Sequence, residues 1–403
     1  MSKKKEKVVL ICDIGGTNVR FGLYRENQEG LVAFDGKYKC ADFSSFEQVV
    51  ERYFKDRKLT SLPQLCIIGA AGDIDEIQGK IIATNTPWIA DTKKLMQTFP
   101  SIKQAQLVND FALQGWALAE MTSNQYQPIF NAPKDVDLTR GKIVVIGPGT
   151  GLGTCLIMPN AISGQSIYTS EAGHSTIPYV SFENEQDQKL NEQVLDVIVS
   201  HYQNHGAKAI TEHLVSGTGI VNIYHSLKDG KIPTDKKDKM PSEKIEKLAQ
   251  ESDKTALKTF DIFNAYLGAH AGTMVATTKT QTIFFCGGVM ASSWIRSYLE
   301  RTPYFKEQFI PRSGLTEAMK KVHIYASTDR DMSTLGAVVY AKQMIENQRY
   351  QEKRLQADQD MLRLLSSLQQ FINHNCPAAK EPMKKVVAEV KKLQKRETGR
   401  NRE

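Results

Sequence analysis

The 403-residue chain has no apolar run approaching the ~18 residues that a helix needs to cross a bilayer. Its basic start, MSKKKEKVVL, meets Asp13 too early for the apolar core of a secretion signal. With both absent, an intracellular, cytoplasmic protein is expected. Cysteine is sparse: the six residues at 12, 40, 66, 155, 286 and 376 have no near neighbours among themselves. That excludes a CxxC zinc or redox unit and does not match a disulfide framework. Cys12, Cys66, Cys155 and Cys286 sit in apolar strand-like runs, where free cysteine behaves as a small hydrophobe, so a reducing compartment fits. Also missing are GxxxxGK[ST], with its phosphate-binding lysine, and a GxGxxG turn leading into a helix.

Excess charge is missing from the body of the chain. Residues 1–7 hold four lysines against one glutamate, and residues 380–403 hold nine Lys/Arg against four glutamates. The ends therefore carry +3 and +5 of the total +7, which leaves −1 for everything between. Basic character belongs to solvated tails, and no nucleic-acid or membrane partner is expected.

What is present is a repeated pattern. VVLICDIGGTNVRFGLY (8–24) is an apolar run, a Gly/Thr turn and a second apolar run, which reads as a β-hairpin. VVIGPGTGLGTCLIM (144–158) has the same outline, so two domains of related design are expected. Further buried strands are expected in QLCIIGAAG (64–72), AQLVND (105–110), TIFFCGGVM (282–290) and VHIYAST (322–328). Helical patterns lie between them. One follows Asp110, and a long one runs from Asp253, a candidate N-cap, with Ala256, Leu257, Phe260, Phe263, Ala265, Leu267 and Ala271 as its apolar stripe. Strands alternating with helices indicate an α/β fold, with mixed sheets because of the hairpins. KDGKIPTDKKDKMPSEKIEK (228–247) reads as a polar surface excursion. Beyond Ala341 the chain turns helical and charged, with a break at Asn375–Pro377 before the basic helix MKKVVAEVKKLQK. Its short heptad-like spacing predicts a packed or oligomer-contacting helix.

The turns carry candidate chemistry. In Asp13-Ile14-Gly15-Gly16-Thr17-Asn18, two glycines let backbone N–H groups approach a ligand, and Thr17 and Asn18 add donors. By itself this turn is equally a plain hairpin. Gly147-Pro148-Gly149-Thr150-Gly151-Leu152-Gly153 repeats the pattern, and Cys286-Gly287-Gly288 ends a third strand just before a helix. Three glycine-rich strand ends converging on one nucleotide would form two phosphate turns and a bed for adenosine. Asn109-Asp110 ends a strand and opens a helix, so Asp110 is either a cleft carboxylate or that helix's N-cap. Glu171-Ala172-Gly173-His174 and Glu212-His213 are further candidates, and no cysteine cluster accompanies His174 to suggest zinc.

Taken together, DIGGTN, LVND, GPGTGLG, EAGH, TEHLVSGTG and CGGV resemble, in order and approximate spacing, the bacterial-type glucokinases, which also occur in some protists. The resemblance covers roughly residues 8–345 and brings in the wider hexokinase/actin-like ATPase superfamily. It implies a two-domain, ribonuclease H-like fold with a cleft: 8–112 (completed by about 328–345) and 113–327, flanked by the tail 1–7 and an extension 346–403. It also implies ATP-dependent phosphorylation of D-glucose, with Asp110 as general base toward the sugar 6-hydroxyl. Asn109, Asp110, Glu171, His174 and Glu212 would bind hydroxyls. Asp13, Gly15, Gly16, Thr17, Asn18, Gly149, Thr150 and Gly151 would face the phosphates, and Gly287 and Gly288 the adenosine. No metal site of the protein's own is implied: Mg²⁺ would arrive with ATP, within reach of Asp13 through water. The assembly expected is a homodimer.

The chemistry agrees, because carboxylates, Asn and His answer a ring of hydroxyls with directional hydrogen bonds. The alternatives are a kinase for another hexose or an amino sugar, and a ROK-like sugar sensor. The sensor's DNA-binding helices have no room in the seven residues before the first strand, and the ROK zinc cysteines are absent. An actin- or chaperone-like ATPase would not need the EAGH and LVND pair. The 228–247 excursion and the tail beyond about 345 exceed the compact bacterial pattern. Touching no motif, they are expected to bear on assembly or regulation rather than chemistry.

Overall fold

The computed structural model describes residues 6–15, 17–26, 34–59, 61–70, 72–75, 77–83, 86–134, 136–160, 164–310, 313–329, 332–379 and 381–390. Gly16, expected on the phosphate side, lies outside the described residues, as do tail residues 1–5 and 391–403. The chain divides after Ala341 into two compact units.

In the first unit the strands run β1 (Val8–Ile14), β2 (Asn18–Arg25), β3 (Gly36–Lys39) and β4 (Leu65–Ala70). A small sheet follows, of β5 (Gly72–Asp75), β6 (Lys80–Ala83) and β7 (Ala90–Asp91), and then β8 (Gln104–Asn109). Next come β9 (Tyr126–Phe130), β10 (Ile143–Pro148), β11 (Leu152–Asn160), β12 (Gly164–Ser170), β13 (Thr282–Phe285) and β14 (His323–Ser327).

The two large sheets repeat one topology. The first has order β3-β2-β1-β4-β8 and the second β12-β11-β10-β13-β14-β9. In each, a hairpin (β1/β2, β10/β11) gains a third antiparallel strand on one side and two parallel strands on the other. The second sheet adds β9, antiparallel to β14. Both hairpins fall where the sequence places them. Central strands β4 and β10 are buried at every residue, which is why they read as unbroken Leu/Ile/Val/Cys runs.

Each sheet has its own core. Phe46 and Tyr53, from the helix Phe46–Asp56, close over Leu10, Phe21 and Ile68 of the first sheet. Phe260, Phe263, Tyr266 and Leu267, from the helix Lys254–Thr278, pack with Ile146, Ile283 and Phe285 of the second. Asp253 caps that helix, accepting the Ala256 N–H at 2.8 Å, as its sequence predicts. The helix exceeds the expected stripe: Ile262, Tyr266 and Ala269 are buried as well, so both faces are covered.

The 228–247 segment departs from expectation. Ile232 and Ile245 are buried in the second core, and after a short turn at Lys236–Asp238 the chain re-enters a helix at Ser242–Gln250. Two isoleucines among many lysines suffice to draw it inward. The helix Ser333–Asn375 starts in the first unit and continues into the second, which adds the turn Pro377–Ala379 and helical residues 381–390. The break after Asn375 is where Pro377 predicts it. Among the described residues, no helix is long and apolar enough to cross a membrane.

Gly336 lies backbone-to-backbone on the helix Asp110–Ala117, and a Cβ there would overlap the Leu113 carbonyl oxygen. Gly336→Ala is expected to destabilise the fold by on the order of 1–3 kcal/mol, read as a lower thermal midpoint. A native-like melt would show that the two helices part without cost.

Candidate active site

Parallel pairing sets the site. Ile14, Ala70 and Asn109 stand in register across β1, β4 and β8, so the Asp13–Asn18 turn and the Asn109–Asp110 step leave one sheet edge together. Ile146 and Phe285 are likewise in register, which puts the Pro148–Leu152 turn beside Cys286–Gly288. Carboxyl ends of parallel strands are where open α/β sheets bind ligands.

Two adjoining cavities occupy this region. One, of about 440 Å³, is lined by Asn109, Asp110, Gln114, Glu171 and Glu212 together with the Gly147–Thr154 hairpin tip and Gly287–Gly288. The other, of about 460 Å³, is lined by Gly217, Thr218, Pro241, Ser242, Glu243, Glu246, Val289 and Ile295. Gly149, Thr150 and Gly288 border both.

The open question at Asp110 is answered by its neighbour. Asn109 Oδ1 accepts the N–H groups of Phe111 at 2.8 Å and Ala112 at 3.3 Å, so Asn109 is the helix cap and Asp110 the first helical residue. Burial pushes the Asp110 carboxyl above the ordinary aspartate range. The Phe111 N–H pulls it the other way, and the negative charges of Asp13 and Glu171 raise it further. Gln114 lies one helical turn from Asp110 and so on the same face. Among the described residues its Oε1 and the Oγ1 of Thr154 are buried with no hydrogen-bond partner, and both residues line the first cavity.

Glu212 faces this cavity from a short turn, Thr211–His213. Its Oε2 accepts the Leu152 N–H at 2.8 Å. The Gly217 N–H donates to Gly149 O at 2.7 Å, and Thr218 Oγ1 donates to Thr150 O at 2.9 Å. Ser216 ties the clamp together: its hydroxyl donates to Glu212 O at 2.7 Å and accepts the Gly219 N–H at 2.9 Å. His213 is stacked on Tyr202 at 3.4 Å and turned inward; burial, then His174 and His201, push its pKa down to about 4. Gly287 has φ +82, and a Cβ would come within 2.8 Å of Pro148 O, so only glycine lets the two strand ends meet.

The structure thus brings Asn109, Asp110, Glu171, Glu212, Gly149, Thr150, Gly151, Gly287 and Gly288 together. His174 is not on either wall: its side chain is 59% exposed, with Nδ1 3.7 Å from Glu171 Oε2. Asp13, Gly15, Thr17 and Asn18 are also off the walls. Arg20 Nε donates to Asp13 Oδ2 at 2.7 Å, and the Gly15 N–H is spent on Asn18 O at 2.9 Å, closing the turn. Among the described residues no group of three or more His, Cys, Asp or Glu is placed to hold a metal ion.

Sequence reading missed Gln114, Thr154, Thr218 and the Pro241–Glu246 wall. The last is a correction: the 228–247 segment does reach a motif, sharing a cavity with Gly149 and Thr150, because buried Ile245 fixes its helix there. The i+4 spacing from Asp110 was the available signal for Gln114, and the second glycine cluster, SGTG, the one for Thr218.

A sequence model of the Glucokinase family matches residues 10–344. Glucokinase from Rhizobium leguminosarum bv. trifolii (strain WSM2304) is 28% identical over 337 residues, covering 83% of this chain and 91% of that protein. Among solved structures, glucokinase from Balamuthia mandrillaris in complex with glucose is similar with TM-score 0.68 at 19% identity, over 84% of this chain and 94% of that one. Glucokinase from an Antarctic psychrotroph has TM-score 0.65 at 24% identity, over 83% and 98%. The fold is the two-domain, actin-like ATPase fold of these sugar kinases.

Because Asp110 is held above its ordinary value, its ionised form is the costly one in the folded chain. That cost is absent below the unfolded pKa and complete once pH passes the raised folded value. Asp110→Asn is expected to melt at the same or a higher temperature at pH 7, with the gain vanishing in acid. A lowered midpoint at pH 7 would mean that the carboxylate is a stabilising partner instead.

Proposed function

The chain belongs to the glucokinase family, and from that premise we propose how its cleft transfers a phosphoryl group from ATP to D-glucose. The first cavity holds the sugar, the second the nucleoside, and the Gly149–Thr150 turn between them the phosphates. The observation that carries this reading is that shared border: one turn of backbone touches a cavity lined by Asp110, Glu171 and Glu212 on one side, and on the other a cavity that Ile220, Val221, Val289 and Ile295 help to line. Both cavities suit their ligands. In the first, Gln114 Oε1 and Thr154 Oγ1 are buried polar atoms with no partner among the described residues, and Gly149 and Gly288 leave open space where a side chain would stand.

In this mechanism Asp110 takes the proton from the sugar 6-hydroxyl as its oxygen attacks the γ-phosphorus, and ADP leaves. Such a base contributes on the order of 10²–10⁴ in rate. Asn109, Glu171 and Glu212 hold the remaining hydroxyls, with His174 reaching them from its exposed position as the lobes, 8–112 and 113–327, close and exclude water. Asp13, Gly15, Thr17 and Asn18 come to the phosphates in the same closure. Mg²⁺, when bound with ATP, neutralises phosphate charge; Asp13, carrying Arg20 beside it, is the carboxylate on that side. Positioning and charge neutralisation account for the rest of the acceleration.

The family match and the glucokinase neighbours favour glucose over another hexose or an amino sugar. We take the assembly to be a homodimer, and the setting to be the cytoplasm, where the five buried thiols and exposed Cys376 stay reduced. In support of a dimer, Leu364 and Phe371 are 71% and 60% exposed on the long helix.

A coupled assay with ATP, Mg²⁺ and a panel of hexoses is expected to show phosphorylation of glucose above all others; no phosphorylation of any hexose would overturn the reading. Asp110→Asn should lose on the order of 10²–10⁴ in kcat while binding glucose normally by calorimetry. The acid limb of kcat/KM should lie above the ordinary aspartate range, since the base works only when ionised and burial raises its pKa. An acid limb at the ordinary value would place the base elsewhere.

A further inference from the structure

His225 takes no part in this mechanism, yet it is a polar ring almost wholly buried, at 5% exposure, on the helix Gly217–Asp229. Both of its nitrogens are engaged. Nδ1 lies 2.7 Å from Asp229 Oδ2, one turn further along the same helix, and Nε2 lies 3.0 Å from the Met240 backbone nitrogen. An amide nitrogen can only donate, so Nε2 accepts and the ring proton sits on Nδ1, donated to Asp229. The tautomer is therefore fixed by its two partners. Met240 is the residue before Pro241, Ser242 and Glu243, which wall the second cavity.

At its entrance the wall has no side-chain cap of its own. Pro241, at the cap position of the helix Ser242–Gln250, provides no side-chain cap, and having no N–H it makes no backbone donation either. Further along, Glu246 Oε1 accepts from Ser292 Oγ at 2.6 Å, which ties the helix to the opposite side of the cavity. Two side-chain hydrogen bonds among the described residues thus hold the wall, His225 at Met240 and Ser292 at Glu246, beside the packing of Met240 and Ile245 against the core.

We propose that His225 is a positioning residue for nucleotide binding: by accepting the Met240 N–H it holds the Met240–Glu243 wall against the nucleoside of ATP. This rests on the reading that the second cavity takes the nucleoside. A buried histidine that merely fills the core would contribute to folding without preference for one ligand. A latch on this wall affects the nucleotide and leaves the sugar alone, since no lining residue of the first cavity lies between 213 and 286.

Two variants of similar polarity separate these cases. In His225→Asn the amide occupies the Nδ1 position and reaches Asp229 but not Met240. In His225→Gln the terminal oxygen occupies the Nε2 position and keeps an acceptor for Met240. The readouts are the Kd of a non-hydrolysable ATP analogue by calorimetry, the Kd of glucose without nucleotide, and KM for ATP against kcat. H225N is expected to weaken the analogue and raise KM for ATP roughly three- to tenfold, the effect of one lost hydrogen bond. Its glucose Kd and its kcat at saturating ATP should remain within about twofold of native. H225Q should restore analogue affinity to within about twofold of native. Unchanged analogue affinity in H225N, a parallel loss of glucose affinity, or no recovery in H225Q would each overturn the proposal. Failure of the kinase reading shows separately, as a native protein that phosphorylates no hexose; analogue binding still decides the latch.

Discussion

The hydrogen bond from the Phe111 N–H to Asn109 Oδ1 decides what Asp110 can do. A helix opening at a strand end has unpaired N–H groups, and the nearest short polar side chain is drawn to them. Had Asp110 supplied the cap, its carboxylate would be spent on backbone and held at a low pKa. Because Asn109 takes that duty with a neutral amide, Asp110 begins the helix with its side chain on the cavity wall. There its ionised form is disfavoured by burial and by the negative charges of Asp13 and Glu171. A carboxylate in that state binds a proton more readily than an exposed one, which is what a general base requires. On the proposed mechanism, two adjacent residues divide a structural task and a chemical one.

The second sheet solves a related problem by different means. The Pro148–Leu152 turn protrudes from the sheet edge, and a turn used to bind phosphate must leave some N–H groups open while staying rigid. Rigidity comes from outside the hairpin. Glu212, Gly217 and Thr218 each take one backbone group of residues 149–152, at 2.7–2.9 Å. Glu212 is the informative member, because the same carboxylate that grips Leu152 also lines the carboxylate-rich cavity. A sugar bound against Glu212 and a phosphate bound at the turn would share one support, so the two ligands are coupled through a side chain rather than through distance alone.

Much of this was legible in the sequence because it depends on local rules. Both hairpins, the strand ending at Asn109, the Asp253 cap and the break before Pro377 fall where period, turn residues and capping predict them, whereas the strand expected over 282–290 stops at Phe285 and Gly287–Met290 is helical. The repeat of one sheet topology was visible as two Gly/Thr turns between apolar runs. What escaped was set by long-range packing. Charge density made 228–247 look like a solvated excursion, yet Ile232 and Ile245 outweigh the lysines between them and bring Pro241–Glu246 to the cavity. Likewise, the partners of Leu152 and Thr150 lie more than 55 residues away in sequence, beyond any periodicity. His174 shows the opposite case: its motif is plain in the sequence, but its ring stands outside the cavity walls.

Asp13 and Asp110 differ by environment more than by chemistry. Asp13, next to last in β1, accepts a hydrogen bond from Arg20, which stands opposite it in register across the hairpin. The negative charge of Asp13 is one of those that raise the Asp110 carboxyl. Asp110, in register terms one step beyond β8, has no cation as partner among the forces that shift it; it has backbone N–H groups, burial and two like charges. One carboxylate is thus paired with a cation, while the other is pushed upward by burial and by like charge. Because Asp13 bears on Asp110 through its charge, a residue on neither cavity wall still bears on the proposed base.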